Sequence, residues 1–208
     1  MEKKRITERP AQQPLKVLFA DKQSVMLYAL LTALSTIFLF TSAAFVYTRV
    51  FSANFQFHLP IIFHANTAII LASSFALLQA IKAQRDDNER GYLQAMGVTF
   101  LLGIAFLAFQ TVGWVEMHRQ GLTLTSNIGN SYLYMLSGLH FLHVLGGLGV
   151  MSYSIFKSYR RLHDPVQELL FSTDPGRISR IRLLATYWHF VDVLWVYLYV
   201  FFLVNALL

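Results

Sequence analysis

Five apolar stretches of at least 20 residues, at about 24–48, 61–81, 92–115, 132–156 and 184–207, dominate this 208-residue chain. A helix rises about 1.5 Å per residue, so each stretch is long enough to cross a hydrocarbon core of roughly 30 Å. Within such a core every backbone N–H and C=O must be satisfied internally, which leaves helices or closed barrels as the only spanning structures. Stretches of this length predict helices. The expected architecture is therefore all-α: a polytopic bundle of five transmembrane helices over 24–208, preceded by a basic tail over 1–23. Composition agrees, since 55% of residues are hydrophobic and only 13% are charged, against roughly a quarter charged in soluble domains. A water-soluble globule is excluded on that ground. The first stretch is too long for the apolar region of a secretory signal and follows a tail containing Pro10 and Pro14, so it is expected to remain as an anchor.

Basic residues predict direction. Lys3, Lys4, Arg5, Arg9, Lys16 and Lys22 precede the first span; Lys82, Arg85 and Arg90 separate the second from the third; Lys157, Arg160, Arg161, Arg177, Arg180 and Arg182 separate the fourth from the fifth. Only Arg49 and Arg119 remain for the opposite side. The excess of Lys and Arg in cytoplasmic loops then places the N-terminus inside and the C-terminus outside. The net charge of +6 is thereby explained by topology and anionic headgroups, and no nucleic-acid partner is expected. With no cysteine in the chain, disulfides, thiolate zinc sites and iron–sulfur clusters are excluded.

Ionisable side chains inside a membrane are costly and point to a role. Here they are His64, Glu116 at the end of the third span, His140 and His143, and the pair His189 and Asp192. His140 and His143 are three apart and share a helix face, as do His189 and Asp192. Counted by helical rise, His143 lies about 16 Å below the outer boundary and Asp192 about 12 Å above the inner one. Similar depth on consecutive antiparallel spans predicts a polar bridge between spans four and five, built from His140, His143, His189 and Asp192. Such a bridge satisfies a buried carboxylate. A histidine–carboxylate metal site and a proton relay use the same residue types, whereas a bis-histidine haem would need two imidazoles at equal depth on facing helices. No nucleophile motif or phosphate loop is present. Trp188, Asp192, Trp195 and Tyr199 stand at offsets of four, seven and eleven, one helical stripe that reads as an aromatic packing face for Trp188, Trp195 and Tyr199. Gly138, Gly146, Gly147 and Gly149 lie inside an apolar span and suit close helix contact.

The string Tyr187-Trp188-His189-Phe190-Val191-Asp192-Val193, with Trp195 and Tyr199 after it, resembles the last-helix signature of subunit III of the haem–copper respiratory oxidases. Gly138, His140, His143, Val144 and Gly146 resemble that family's G-x-H-x-x-H-V-x-x-G. Asn66 and Thr67, followed by Leu71, Ser73 and Ser74, resemble N-T-x-x-L-L-x-S-S, and Leu102, Gly103, Phe106 and Gln110 resemble L-G-x-x-F-x-x-x-Q. The likeness covers roughly 24–205, and five spans are similar to the short bacterial form.

The resemblance implies a non-catalytic accessory subunit of a proton-pumping terminal oxidase in a bacterial inner membrane. It would pack on the haem-bearing subunit I, beside subunit II and a small subunit IV, bind phospholipid, and support stability and proton uptake. Haem and copper are expected in those partner subunits, with no cofactor or metal in this chain. A quinol oxidase subunit III and the accessory subunit of nitric oxide reductase fit the same motifs, and a stand-alone transporter is a more distant alternative. Two positions depart from the family pattern. A buried glutamate of the first span is here Thr36, and the glutamate of Q-x-x-E-Y is Gly113 in Gln110-Thr111-Val112-Gly113-Trp114. Both departures favour structural support over a relay.

Overall fold

A computed structural model describes residues 22–51, 59–162 and 176–207. Five α-helices account for most of them: α1 (Lys22–Phe51), α2 (Ile62–Arg85), α3 (Glu89–Arg119), α4 (Ile128–Leu162) and α5 (Gly176–Leu207). No strand occurs among the described residues. Each helix contains a window long and apolar enough to cross a membrane, and the chain is a multi-pass membrane protein. The basic tail expected over 1–23 lies almost wholly outside the described residues.

Every helix extends past its apolar stretch, and the reason lies in the end chemistry. Asn88 receives the Gly91 N–H on its side-chain oxygen at 2.9 Å, which starts α3 three residues ahead of the apolar run. Asn127 does the same for the Gly129 N–H at 2.9 Å, starting α4 at Ile128. The other end of α3 closes at Gly121, whose φ of +76° is the left-handed conformation open to a residue without Cβ. That turn lets Leu122 N–H reach the Met117 carbonyl at 2.9 Å and Gly121 N–H reach that of His118 at 3.1 Å, satisfying carbonyls that the helix end would leave unpaired.

Helices α2, α3, α4 and α5 form a closed ring, each touching the next and α5 returning to α2. Among the described residues α1 touches only α4 and α5. Between α2 and α3, the most extensive contact, a three-residue connector forces antiparallel neighbours. The ring encloses a core that includes Phe63, Phe106, Leu136, Val144, Trp188, Trp195 and Leu198. Large apolar side chains such as Phe40, Leu101, Phe75 and Val193 point outward, as befits a surface solvated by lipid.

Because lipid tails are as apolar as leucine, packing and hydrogen bonds rather than hydrophobic burial hold such helices together. Close packing shows at the glycines. A Cβ placed on Gly103 in α3 would lie 2.8 Å from Leu148 Cδ2 and 3.0 Å from Trp188 Cη2, so α3 approaches α4 and α5 as far as a hydrogen permits. Gly147 on α4 meets Tyr187 and Trp188 in the same way, whereas nothing lies within 4 Å at Gly138, Gly146 or Gly149. Gly103→Val should therefore lower stability by about 1–3 kcal/mol through overpacking, while Gly138→Ala should leave it unchanged or raise it slightly by helix propensity. Thermal unfolding of the purified chain in mild detergent compares the two.

Candidate functional site in the bundle interior

Tryptophan cannot enter a dry core without a partner for its N–H, and the ring of helices supplies each one with a hydroxyl. Trp188 Nε1 donates to Ser73 Oγ at 3.2 Å, Trp195 Nε1 to Thr67 Oγ1 at 3.1 Å, and Trp114 Nε1 to Ser137 Oγ at 3.1 Å. Each hydroxyl donates its own proton to its own helix, Ser73 to Ile70 O, Thr67 to Phe63 O and Ser137 to Leu133 O. The first two pairs tie α5 to α2, and the third ties α3 to α4. Trp195 also stacks on Phe63 at a centroid distance of 5.5 Å and meets Phe106 edge-on at 4.8 Å. Tyr199 stands at the C-terminal end of this face, its ring 5.4 Å from that of His64.

The histidines divide between two seams. His140 is fully buried, its ring packed between Phe106 and Trp195, and its Nε2 donates to the Val191 carbonyl of α5 at 3.1 Å. His143 turns back on its own helix, Nδ1 donating to Leu139 O at 2.6 Å, with its ring edge against Phe38 of α1. Tyr187 of α5 donates to the His143 carbonyl at 2.9 Å. His189 faces α2, where Nδ1 lies 2.8 Å from Ser74 Oγ. Asp192, one turn further along α5, is 3% exposed. Its nearer oxygen is 3.9 Å from His189 Nδ1, Ser74 stands beside it, and neither carboxyl oxygen has a hydrogen-bond partner among the described residues.

Depth alone pairs Asp192 with the α4 histidines, but the contacts run differently. The carboxyl lies on the α2 side of α5 with His189 and Ser74, and α4 is joined to α5 through backbone carbonyls at Val191 and His143. Rotation about the helix axis decides this, and depth carries no information on it. Asn66 and Gln110 meet across α2 and α3, Asn66 Nδ2 donating to Gln110 Oε1 at 2.8 Å. At Gly113, one turn further along α3 from Gln110, the Ile62 side chain of α2 comes close: a Cβ there would lie 2.6 Å from Ile62 Cγ2. Thr36, by contrast, is exposed on α1 and donates to Thr32 O at 2.9 Å.

Two contacts had no forecast in the sequence. Ser137 receives Trp114, and Arg49 donates to the backbone and side-chain oxygens of Asn205 at 3.0 and 2.7 Å, fastening α1 to α5 near the C-terminal ends of both. A tryptophan inside the third apolar stretch, near its end, was the available signal for the first, since its N–H demands a hydroxyl on a neighbour. Among the described residues no group of three His, Cys, Asp or Glu side chains converges as a metal-ligand set.

The family model for cytochrome c oxidase subunit III matches residues 51–206. The chain belongs to the cytochrome c oxidase subunit III family. Similar proteins include cytochrome c oxidase subunit 3 of Pongo abelii, 31% identical over 135 residues that make up 65% of this chain and 47% of that protein. The subunit 3 of Synechocystis sp. is 31% identical over 140 residues, 65% of this chain and 53% of the other. That of Oryctolagus cuniculus is 29% identical over 135 residues, 65% and 47% respectively. The chain spans about half the length of these curated relatives.

Against this family background, the motif positions Asn66, Thr67 and Gln110 are among the side chains that join α2 to α3 and α5, whereas Gly138 and Gly146 have no neighbour within 4 Å of an added Cβ. Thr67→Val keeps the shape of the side chain and leaves the Trp195 N–H buried without an acceptor. It should cost about 1–3 kcal/mol, read as a lowered unfolding temperature of the purified chain, with Thr36→Val on the exposed side of α1 close to neutral.

Proposed function

We propose that this chain is the non-catalytic accessory subunit III of a proton-pumping terminal respiratory oxidase. It packs on the haem-bearing subunit I in a bacterial inner membrane, beside subunit II and a small subunit IV. The family match over 51–206 carries this reading. The interior chemistry supports it. The polar side chains buried in the bundle are engaged mainly in holding helix to helix, and in this reading haem and copper sit in the partner subunits. In this reading His140, His143, His189 and Asp192 are structural contacts, and Trp188, Trp195 and Tyr199 are the packing face of α5. The charge distribution supports a cytoplasmic N-terminus and an external C-terminus. Phospholipid fills the apolar hollows of the outer surface, and the chain sustains proton uptake and enzyme lifetime through the integrity of the assembly.

The deciding experiment is isolation in mild detergent through a tag on this chain, followed by a visible spectrum and identification of the co-isolated subunits. Haem absorbance in proportion to the tagged chain is expected, and it should be lost when the chain is separated from its partners. A stoichiometric haem or copper signal retained by the separated chain would overturn the reading.

Asp192→Asn tests the structural assignment. The amide keeps the size of the carboxyl and can still hydrogen-bond Ser74 or His189, and an accessory subunit contributes no electron-transfer step. Initial oxygen consumption per haem should stay within about twofold of the parent, while retention of this subunit and activity after many turnovers decline. An assembled variant whose initial rate fell by an order of magnitude would show instead that Asp192 moves protons.

A further inference from the structure

Three polar side chains inside the ring of helices lie at one height with hydrogen-bonding capacity unused. Antiparallel neighbours step in opposite directions. Trp114 of α3 meets Ser137 of α4, and eleven residues back along α3 Gly103 lies against Leu148, eleven residues further along α4. The same register sets Gln110 level with Phe141, one residue from His140, a height difference of about 1.5 Å. Asn66 of α2 shares that height, since it is bonded directly to Gln110. Aromatic rings close the neighbourhood: His140 packs on Phe106, one turn from Gln110, and on Trp195, whose N–H is held by Thr67 beside Asn66.

Asn66, Gln110 and His140 are all 0% exposed, and each uses only part of what it can form. Asn66 Nδ2 donates to Gln110 Oε1, while Asn66 Oδ1 and Gln110 Nε2 have no partner among the described residues. His140 Nε2 faces the Val191 carbonyl, which can only accept, so that nitrogen carries the hydrogen and the neutral ring presents Nδ1 as an acceptor. Among the described residues Nδ1 has no partner either. Buried polar atoms are costly in that state and are generally found satisfied by protein or ordered water. The unused set is two acceptors and one donor, contributed by three helices.

We propose that a single water molecule binds between α2, α3 and α4 at this height, accepting from Gln110 Nε2 and donating to Asn66 Oδ1 and His140 Nδ1. Water is the ligand whose own two hydrogens and lone pairs match that set, and three hydrogen bonds is the usual complement of a buried water. A cation does not fit, because Gln110 presents N–H hydrogens and none of the three groups is anionic. The consequence is mechanical. Among the described residues α2 and α4 are not neighbours in the ring, and the water ties them across its interior. It also gives the His140 imidazole a second fixed hydrogen bond, which sets the ring's orientation between Phe106 and Trp195. The site belongs to this chain alone and is independent of the subunits that the chain joins.

The direct test is a density map of the full chain in a lipid nanodisc, at a resolution that shows ordered water. One peak within hydrogen-bonding distance of Asn66 Oδ1, Gln110 Nε2 and His140 Nδ1 is expected. A map in which Gln110 Nε2 donates directly to Asn66 Oδ1, or in which ordered waters are seen elsewhere but none touches all three atoms, overturns the site. A double-mutant cycle reads the same link in solution, because residues that share a partner are not additive. Asn66→Leu and His140→Leu each abolish the water, so the double variant should lose several degrees less in unfolding temperature than the two single losses together. Ser137→Ala is the control: it lies on the same helix one turn from His140 but serves Trp114, and it should add independently to Asn66→Leu. Additive losses for Asn66 and His140, or equal coupling in the control, would remove the water link.

Discussion

The fold depends on satisfying indole N–H groups where no water is available. All three tryptophans of the chain solve this in one way, by donating to a serine or threonine on the facing helix whose own proton returns to its helix backbone. The hydroxyl is thus fixed as an acceptor, and each contact is both an anchor and a gauge of helix height. Thr67 with Trp195 and Ser73 with Trp188 place six residues of α2 against seven of α5. Two fixed points of that kind leave an antiparallel pair no freedom to slide by a turn. Ser74 with His189 repeats the constraint beside them. Around this frame the glycines at 103 and 147 admit the Trp188 ring between three helices, so the largest side chain in the core sits where the smallest residues allow it.

Much of this was legible from the chain alone. The five apolar stretches located the helices, and the stripe of Trp188, Asp192, Trp195 and Tyr199 marked one face of α5 by its spacing. What the sequence withheld was the angular setting of one helix against another. Asp192 and His143 share a depth and sit on consecutive spans, yet α5 presents the carboxyl to α2, because the ring closes through that helix as well. Side-chain periodicity defines faces but not which neighbour each face meets. Helix ends were also longer than hydropathy implies, since the caps at Asn88 and Asn127 act outside the apolar core and are invisible to a count of apolar residues.

The departures from the family pattern have local explanations in the same packing. Gly113 stands against the Ile62 side chain of α2, whose γ2 methyl would lie 2.6 Å from an added Cβ, so a glutamate there would require Ile62 to give way. Thr36 occupies an exposed position on α1 and satisfies its hydroxyl within its own helix. Neither position communicates with the Asp192 cluster through any contact described above. Among the described residues the interior side-chain cross-links each join two helices, α2 to α3 at Asn66, α2 to α5 at Thr67, Ser73 and Ser74, and α3 to α4 at Trp114.

The placement of α1 bears on how the bundle is closed. Among the described residues α1 contacts only α4 and α5, the two helices furthest from it in the sequence, whereas α2 and α3 are joined by a short turn. The hydroxyls of Thr32, Thr36 and Thr41 bond to carbonyls four residues earlier and need no partner on another helix, whereas that of Thr48 also meets Tyr132 of α4. The clasp between Arg49 and Asn205 closes α1 onto the C-terminal end of α5, so the helix that comes first in the chain is secured to the ring by one of the last residues of the helix that follows all the others.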